Sequence, residues 1–330
     1  MKYSYCGHSG LQLPKLSLGL WHNFGFKDDY DEAKKMIHFA FDKGVTHFDL
    51  ANNYGPPPGS AESNFGKILK EGLSSHRDEM IISSKAGHLM WPGPYGDGSS
   101  RKNLMASINQ SLKRTGLEYF DLFYSHRYDG VTPIEETMQA LVDIVRQGKA
   151  LYIGISKYPP AEAKQAMDYL RDHHVPCLLF QDKYSMLHRN PEEGIFDVVK
   201  EEGCGFIGFS PLSQGVLTDK YLNGIPADSR AANPDGFLKR EQITQKTVSI
   251  VRQLNLIAEE RNQSLAQMAL AWALRDDVVT SLIVGARNTI QLQDSLDALD
   301  NLNFADDELE QIEQTQAENE SSWIEDDIDF

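Results

Sequence analysis

Short runs of apolar, β-prone residues alternate with helical periodicity along most of the chain. The strand-like runs fall at residues 16–20, 45–50, 80–85, 120–124, 150–156, 177–181, 205–210 and 281–284. Between them, residues 31–43 set Ala33, Ile37, Ala40 and Phe41 on one face. Residues 101–115 do the same with Leu104, Ile108 and Leu112. Residues 134–147, 160–173, 192–202, 265–274 and 289–300 repeat that spacing, the period of a helix packed on a sheet. Eight strands, each followed by a helix, call for a parallel sheet. In a chain of 330 residues that count fits an α/β fold of the closed (β/α)8 TIM-barrel type; an open doubly wound sheet is the alternative.

Two features stand outside the repeat. Residues 2–6 and 11–13 flank Gly7-His8-Ser9-Gly10, a hairpin-like start placed to plug the N-terminal mouth of a barrel. About seventy residues separate the seventh and eighth strands. They hold a Gly/Pro/Asp-rich loop (residues 223–236) and an added helix (residues 243–261), and long insertions of this kind usually carry function. No composition shift marks a boundary, so residues 1–330 are read as one domain.

Gly203-Cys204-Gly205-Phe206-Ile207-Gly208 has the form G-x-G-x-x-G. A dinucleotide fingerprint follows a strand and opens a helix, so that amides meet a pyrophosphate. Here the order is reversed, helix then strand. The segment reads as a helix C-cap glycine and a tight turn, which disfavours a Rossmann dehydrogenase.

Composition narrows the class. Hydrophobic residues make up 41% and charged residues 24%, close to globular averages. No apolar run approaches the roughly 20 residues of a membrane span, and the first ten residues lack the core of a signal peptide. The formal charge of −16 disfavours a nucleic-acid partner. Eleven acidic residues fall within 305–330, where there is no Lys or Arg; that tail is read as a solvated helix fraying into a disordered end. Cys6, Cys177 and Cys204 form no C-x-x-C, and no H-E-x-x-H occurs. Three reduced thiols in a cytoplasmic protein, without a metal, are expected.

In a barrel of this kind the active residues sit at the C-terminal strand ends. Those ends supply Asp49 and Tyr54 after the second strand, Lys85 on the third and His126 after the fourth. Together they form an acid apparatus. A Lys cation beside a tyrosine favours the tyrosinate and lowers the phenol pKa from about 10. A carboxylate holds that Lys charged and aimed. A histidine donates a hydrogen bond to a substrate oxygen.

The segments His47-Phe48-Asp49-Leu50-Ala51-Asn52-Asn53-Tyr54-Gly55, Ile82-Ser83-Ser84-Lys85 and Tyr119-Phe120-Asp121-Leu122-Phe123-Tyr124-Ser125-His126 make the chain resemble the aldo-keto reductase superfamily. Residues 54–62 and 90–96 look like the bacterial L-glyceraldehyde 3-phosphate reductase group, itself similar to β subunits of voltage-gated potassium channels. The resemblance implies NADPH-dependent reduction of small carbonyl compounds without a metal. Tyr54 would be the general acid, Lys85 its tuner, Asp49 the partner of Lys85, and His126 the group that polarises the carbonyl. It also implies cofactor contacts from Trp21, Ser156, Gln181 and Phe209, from the loop containing Ser210, Pro211, Leu212, Gln214 and Gly215, and from Lys220 and Arg230. Tetramers or octamers are implied as well.

The last cofactor segment departs from the family pattern, which has Ser or Thr second after the glycine, then Arg, and later Glu and Asn. This chain has Gly285, Ala286, Arg287 and Asn288, followed by Gln291, Asp294 and Ser295. Arg287 reaching a 2′-phosphate keeps the NADP preference; Arg287 pointing away lets NAD compete. Trp21, Trp91, Tyr95 and Arg127 are expected to line the substrate pocket, with Arg127 or Arg101 meeting a substrate phosphate. The competing functions are a nucleotide-sensing module like the channel subunits, and a barrel aldolase using Lys85 as a Schiff-base nucleophile.

Overall fold

A computed structural model describes residues 1–227, 229–233 and 238–317. The strands β1 (Tyr3–Tyr5) and β2 (Gln12–Pro14) form an antiparallel hairpin. The next eight are β3 (Leu16–Gly19), β4 (His47–Asp49), β5 (Ile81–Ala86), β6 (Phe120–Ser125), β7 (Ala150–Ser156), β8 (Cys177–Lys183), β9 (Gly205–Phe209) and β10 (Val279–Val284). They close into one all-parallel barrel in sequence order, β10 pairing with β3. The fold is therefore a (β/α)8 barrel with an N-terminal hairpin.

The helices are α1 (Tyr30–Asp42), α2 (Ser60–Ile68), α3 (Arg101–Thr115), α4 (Ile134–Arg146), α5 (Pro160–Asp172), α6 (Ile195–Glu202), α7 (Gln245–Glu260), α8 (Leu265–Ala273), α9 (Thr289–Asp297) and α10 (Asp306–Ala317). Local chemistry starts them. Asp29 accepts from the amides of Asp31 and Glu32 at α1, Pro160 opens α5, and Ser264 and Gln267 cap α8 reciprocally. The apolar faces at 3.6-residue spacing pack on the barrel, as the pattern requires.

Helix α2 breaks that pattern and was not expected. Its buried face includes Glu62 and Asn64 beside Phe65 and Ile68, so the apolar period is interrupted. Glu62 is fully buried because Arg114 donates to it at 2.6 Å and the Ser84 hydroxyl at 2.6 Å. Gly66 permits the approach of α3: a Cβ there would lie 2.3 Å from the Thr115 carbonyl oxygen. A satisfied buried ion and a glycine thus replace two apolar positions, and a hydropathy period cannot see them.

The hairpin closes the N-terminal end. Cys6 and Leu13 pack on Leu122, Tyr124, Leu179 and Ile207 inside the barrel. Gly203, at φ 63, ends α6 in the left-handed conformation, and its carbonyl accepts from the His8 amide at 2.8 Å. The G-x-G-x-x-G stretch is therefore a C-cap and turn beneath the plug.

The acidic tail corrects an expectation. Helix α10 is not solvated on all sides. Ile312 is fully buried, Arg261 pairs with Glu308 at 2.5 Å, Arg189 pairs with Glu313 at 2.6 Å, and Gln316 donates to the Met186 carbonyl at 2.6 Å. One apolar residue and two placed arginines dock a helix that net charge alone would leave in water. Residues 318–330, with Trp323 and Phe330, lie outside the described residues, as do Asp228 and residues 234–237 of the 223–236 loop.

Inward-facing positions of the barrel carry a polar file. The Ser17 and Ser281 hydroxyls meet at 2.7 Å, and His47 bridges Ser17 (2.8 Å) and Ser83 (3.0 Å). Burial lowers the His47 pKa from 6.5 to about 4, so the ring is neutral at pH 7. Between those values the unfolded chain takes up a proton that the folded chain refuses. Stability is then full above pH 6.5 and falls as the pH drops toward 4, by up to about 3 kcal/mol from this group. His47→Gln is expected to lower stability at pH 7 by roughly 1–3 kcal/mol and to flatten the acid limb of denaturant-melt stability against pH. An unchanged slope would contradict the assignment.

Candidate active site

The C-terminal strand ends open into one cavity of about 920 Å³. Asp49 ends β4, Lys85 is the penultimate residue of β5, Tyr54 sits in the loop after β4, and His126 follows β6. The Lys85 ammonium spends all three protons below the cavity surface. It donates to Asp49 Oδ2 at 2.5 Å, to the Leu50 carbonyl at 2.8 Å and to the Tyr54 hydroxyl oxygen at 3.3 Å. Asp49 Oδ1 in turn accepts from Ser83 at 2.7 Å and from Gln181 Nε2 at 3.3 Å. The file from Ser281 through His47 therefore ends on the pair that holds Tyr54. Sequence reasoning missed Ser17, His47, Ser83 and Ser281; the two-residue spacing of His47 from Asp49 and of Ser83 from Lys85 is the signal that was available.

Asp49, Tyr54 and His126 line the cavity, while Lys85 stays fully buried behind Tyr54. With its donors committed, Lys85 has the geometry of a tuner and not of a nucleophile facing a carbonyl. Burial lowers its pKa below 10.5, against the pull of Asp49. The direction at Tyr54 reverses the expectation. Burial, with Asp49 adding to it, pushes the phenol well above 10. The Lys85 cation, paired with Asp49 at 2.5 Å, does not offset that burial. Tyr54 thus carries its proton at neutral pH, and the 3.3 Å bond from Lys85 occupies a lone pair of the hydroxyl oxygen, so the O–H can point into the cavity. Burial, then His88 and nearby cations, keep His126 well below 6.5 and neutral. Its ring lies 6.1 Å from that of Tyr54 and 4.4 Å from that of His88.

Most of the residues expected to contact a cofactor line the same cavity. Trp21, Gln181, Phe209, Ser210, Pro211, Leu212, Gln214, Gly215, Lys220, Arg230, Gly285, Arg287, Gln291, Asp294 and Ser295 all line it. Ser156 does not line it; it stands in register with Gln181, buried, its hydroxyl without a hydrogen-bond partner among the described residues. Phe209 ends β9 as expected. Arg230 and Arg287 lie close enough that burial and then the Arg287 charge lower the Arg230 pKa. Two like charges on one wall are suited to an anion between them. A dinucleotide phosphate end fits that wall, and a donor such as Ser156 beside Gln181 fits a carboxamide.

The irregular 285–295 segment has a local explanation. Asn288 is the N-cap of α9, accepting from the Gln291 amide at 3.0 Å. The Gln291 side chain accepts from the Arg287 amide at 3.0 Å. The asparagine is used in capping, and Arg287, one place before it, lines the cavity.

Of the expected substrate residues, only Trp21 lines the cavity among the described residues. Trp91 and Tyr95 stand outside it, Tyr95 being 57% exposed. Arg127 donates to Asp97 at 3.0 and 3.2 Å and to the Gly87 carbonyl at 3.2 Å. Arg101 pairs with Asp143 at 2.5 Å. The cavity adds His22, Asn23, Asn53 and Lys157, which the sequence reading did not single out. Lys157 directly follows β7 and was reachable by the strand-end rule. Among the described residues no group of three His, Cys, Asp or Glu could hold a metal, and no helix is long and apolar enough to cross a membrane.

The Asp49–Lys85 pair makes a stability prediction. Asp49→Asn leaves a fully buried ammonium without its counter-charge and is expected to cost about 3–5 kcal/mol in denaturant unfolding. A loss under about 1 kcal/mol, the size of a surface pair, would refute the tight coupling.

The sequence profile of the Aldo/keto reductase family matches residues 15–317. The chain is 53% identical over 324 residues to an L-glyceraldehyde 3-phosphate reductase of Escherichia coli (strain K12), covering 97% of this chain and 94% of that protein. It is 35% identical over 333 residues to a probable voltage-gated potassium channel subunit beta of Arabidopsis thaliana, covering 98% of this chain and 100% of that protein. Barrel, cavity and sequence agree: the chain belongs to the aldo/keto reductase family.

Proposed function

We propose that the protein is an NADPH-dependent reductase of small aldehydes and ketones, glyceraldehyde 3-phosphate and methylglyoxal-like compounds among them. The observation that carries this is the cluster Asp49–Lys85–Tyr54 with His126 on one cavity that Arg230 and Arg287 also line. The similarity to an L-glyceraldehyde 3-phosphate reductase supports the substrate class. Trp21, Ser156, Gln181, Phe209, the 210–215 turn, Lys220, Arg230 and Arg287 are the residues suited to holding the nucleotide. When bound, the nicotinamide supplies a hydride to the carbonyl carbon.

The chain's own residues do the rest. His126, neutral, donates a hydrogen bond to the carbonyl oxygen and fixes its position. Tyr54 transfers its phenolic proton to that oxygen, giving the alcohol. Lys85, 3.3 Å from the phenol oxygen, stabilises the tyrosinate left behind, and Asp49 keeps the ammonium in place. The second reading, a nucleotide-binding regulatory module, draws on the channel-subunit similarity, but a pure sensor needs no acid held in this geometry. Three buried free thiols suit a reducing compartment, which supports a cytoplasmic protein acting as one barrel domain.

Tyr54→Phe is expected to cut reduction of glyceraldehyde 3-phosphate and methylglyoxal by about 10²–10⁴-fold, with nucleotide binding by fluorescence quenching retained. Retained turnover sinks the role of Tyr54. Wild-type protein is expected to prefer NADPH over NADH, and Arg287→Ala to reduce that preference by roughly tenfold. A clear NADH preference in the wild type overturns the NADP assignment.

A further inference from the structure

The expected phosphate-binding arginines are held elsewhere: Arg127 on Asp97 and the Gly87 carbonyl, Arg101 on Asp143. A different cation lies on the cavity wall. Lys157 immediately follows β7 and lines the same space as Tyr54 and His126. Its backbone is left-handed, φ 55, a conformation that a side-chain-bearing residue adopts at a cost glycine avoids. Such positions gather at functional sites, and here the outlier is a lysine facing a cavity.

The ammonium is also aimed. Lys157 Nζ and His88 Nε2 are 3.0 Å apart. Burial and the cations Lys157, Arg127 and Lys85 hold the His88 pKa at about 2, so this ring is neutral and its Nε2 accepts from the ammonium. The His88 ring stands edge-on to His126 at 4.4 Å, which ties the position of Lys157 to the group that holds the carbonyl. Burial pushes the carboxyl of the neighbouring Asp182 up to about 7, against the Lys157 charge that pulls it down.

We infer that Lys157, oriented by His88, is the residue that receives the anionic phosphate of a short phosphorylated aldehyde whose carbonyl lies at Tyr54 and His126. The inference rests on the reductase reading of this cavity and adds the determinant of phosphorylated over plain substrates. Lys157 is the specificity residue, and His88 is a positioning residue acting through it. The three-carbon chain of a triose phosphate links the two ends. One end is polarised by neutral donors, the other is met by a cation, so the charge of the substrate fixes which end faces Tyr54.

The test is a binding measurement that needs no turnover. sn-Glycerol 3-phosphate, which has no carbonyl to reduce, is titrated calorimetrically into wild type, Lys157→Met and Lys157→Arg, each saturated with NADP and again without it. Thermal melts establish that all three are folded. Wild type is expected to bind; Lys157→Met to bind at least about tenfold more weakly; Lys157→Arg to stay within roughly threefold. Equal affinity in wild type and Lys157→Met, or no binding by wild type, overturns the inference. A melted Lys157→Met with an intact Lys157→Arg leaves His88→Phe as the decisive variant, which must weaken glycerol 3-phosphate binding for the inference to stand. The kinetic companion is the ratio of kcat/KM for glyceraldehyde 3-phosphate to that for plain glyceraldehyde, expected to fall about tenfold in Lys157→Met. Selective binding without reduction of either aldehyde rejects the reductase reading while the anion assignment holds.

Discussion

The architecture of the site depends on one buried ion pair. Asp49 and Lys85 face each other at 2.5 Å inside the barrel, both almost completely removed from water. A pair so desolvated persists only if its remaining lone pairs and protons are used. Ser83 and Gln181 satisfy one carboxylate oxygen, and Leu50 and Tyr54 take the remaining ammonium protons. That requirement draws residues from four structural neighbours, β4, β5, β8 and the loop after β4, into fixed positions. The orientation of Tyr54 is a by-product of satisfying a charge that has nowhere else to go.

Charge at the whole-molecule scale says little about this. The chain carries −16, yet the cavity is bordered by Lys157, Lys220, Arg230 and Arg287. Part of the acidic surplus is used structurally, where Glu308 and Glu313 tie α10 to Arg261 and Arg189. Screening confines surface fields to about 8–10 Å in physiological salt, so an anion inside the cavity responds chiefly to the charges that line it.

The barrel and its eight strands were legible because parallel strands and amphipathic helices imprint their periods on the sequence. Asp49, Tyr54, Lys85 and His126 were legible because barrel topology sends strand ends to one mouth. Helix α2 was not, since Glu62 and Gly66 occupy its inner face for reasons that involve Arg114 and Thr115, fifty residues away in sequence. The direction of the Tyr54 pKa was likewise hidden. It is set first by how completely the phenol is buried and then by the Asp49 charge, matters of ångströms that residue identities do not encode. Arg127 looked like a phosphate ligand by position, and only the placement of Asp97 reveals that its guanidinium is committed. Lys157, one residue past the end of β7, was within reach of the same strand-end rule; its left-handed backbone was not.

The N-terminal hairpin has a consequence for traffic. With Cys6 and Leu13 seated on Leu122, Tyr124 and Ile207, the barrel is a vessel closed at one end. Whatever reaches Tyr54 arrives through the rim of strand ends and loops that line the cavity, and whatever leaves goes back past them. For a reaction in this vessel, the order of arrivals and departures is set by which occupant blocks the rim, because the hairpin plugs the opposite end.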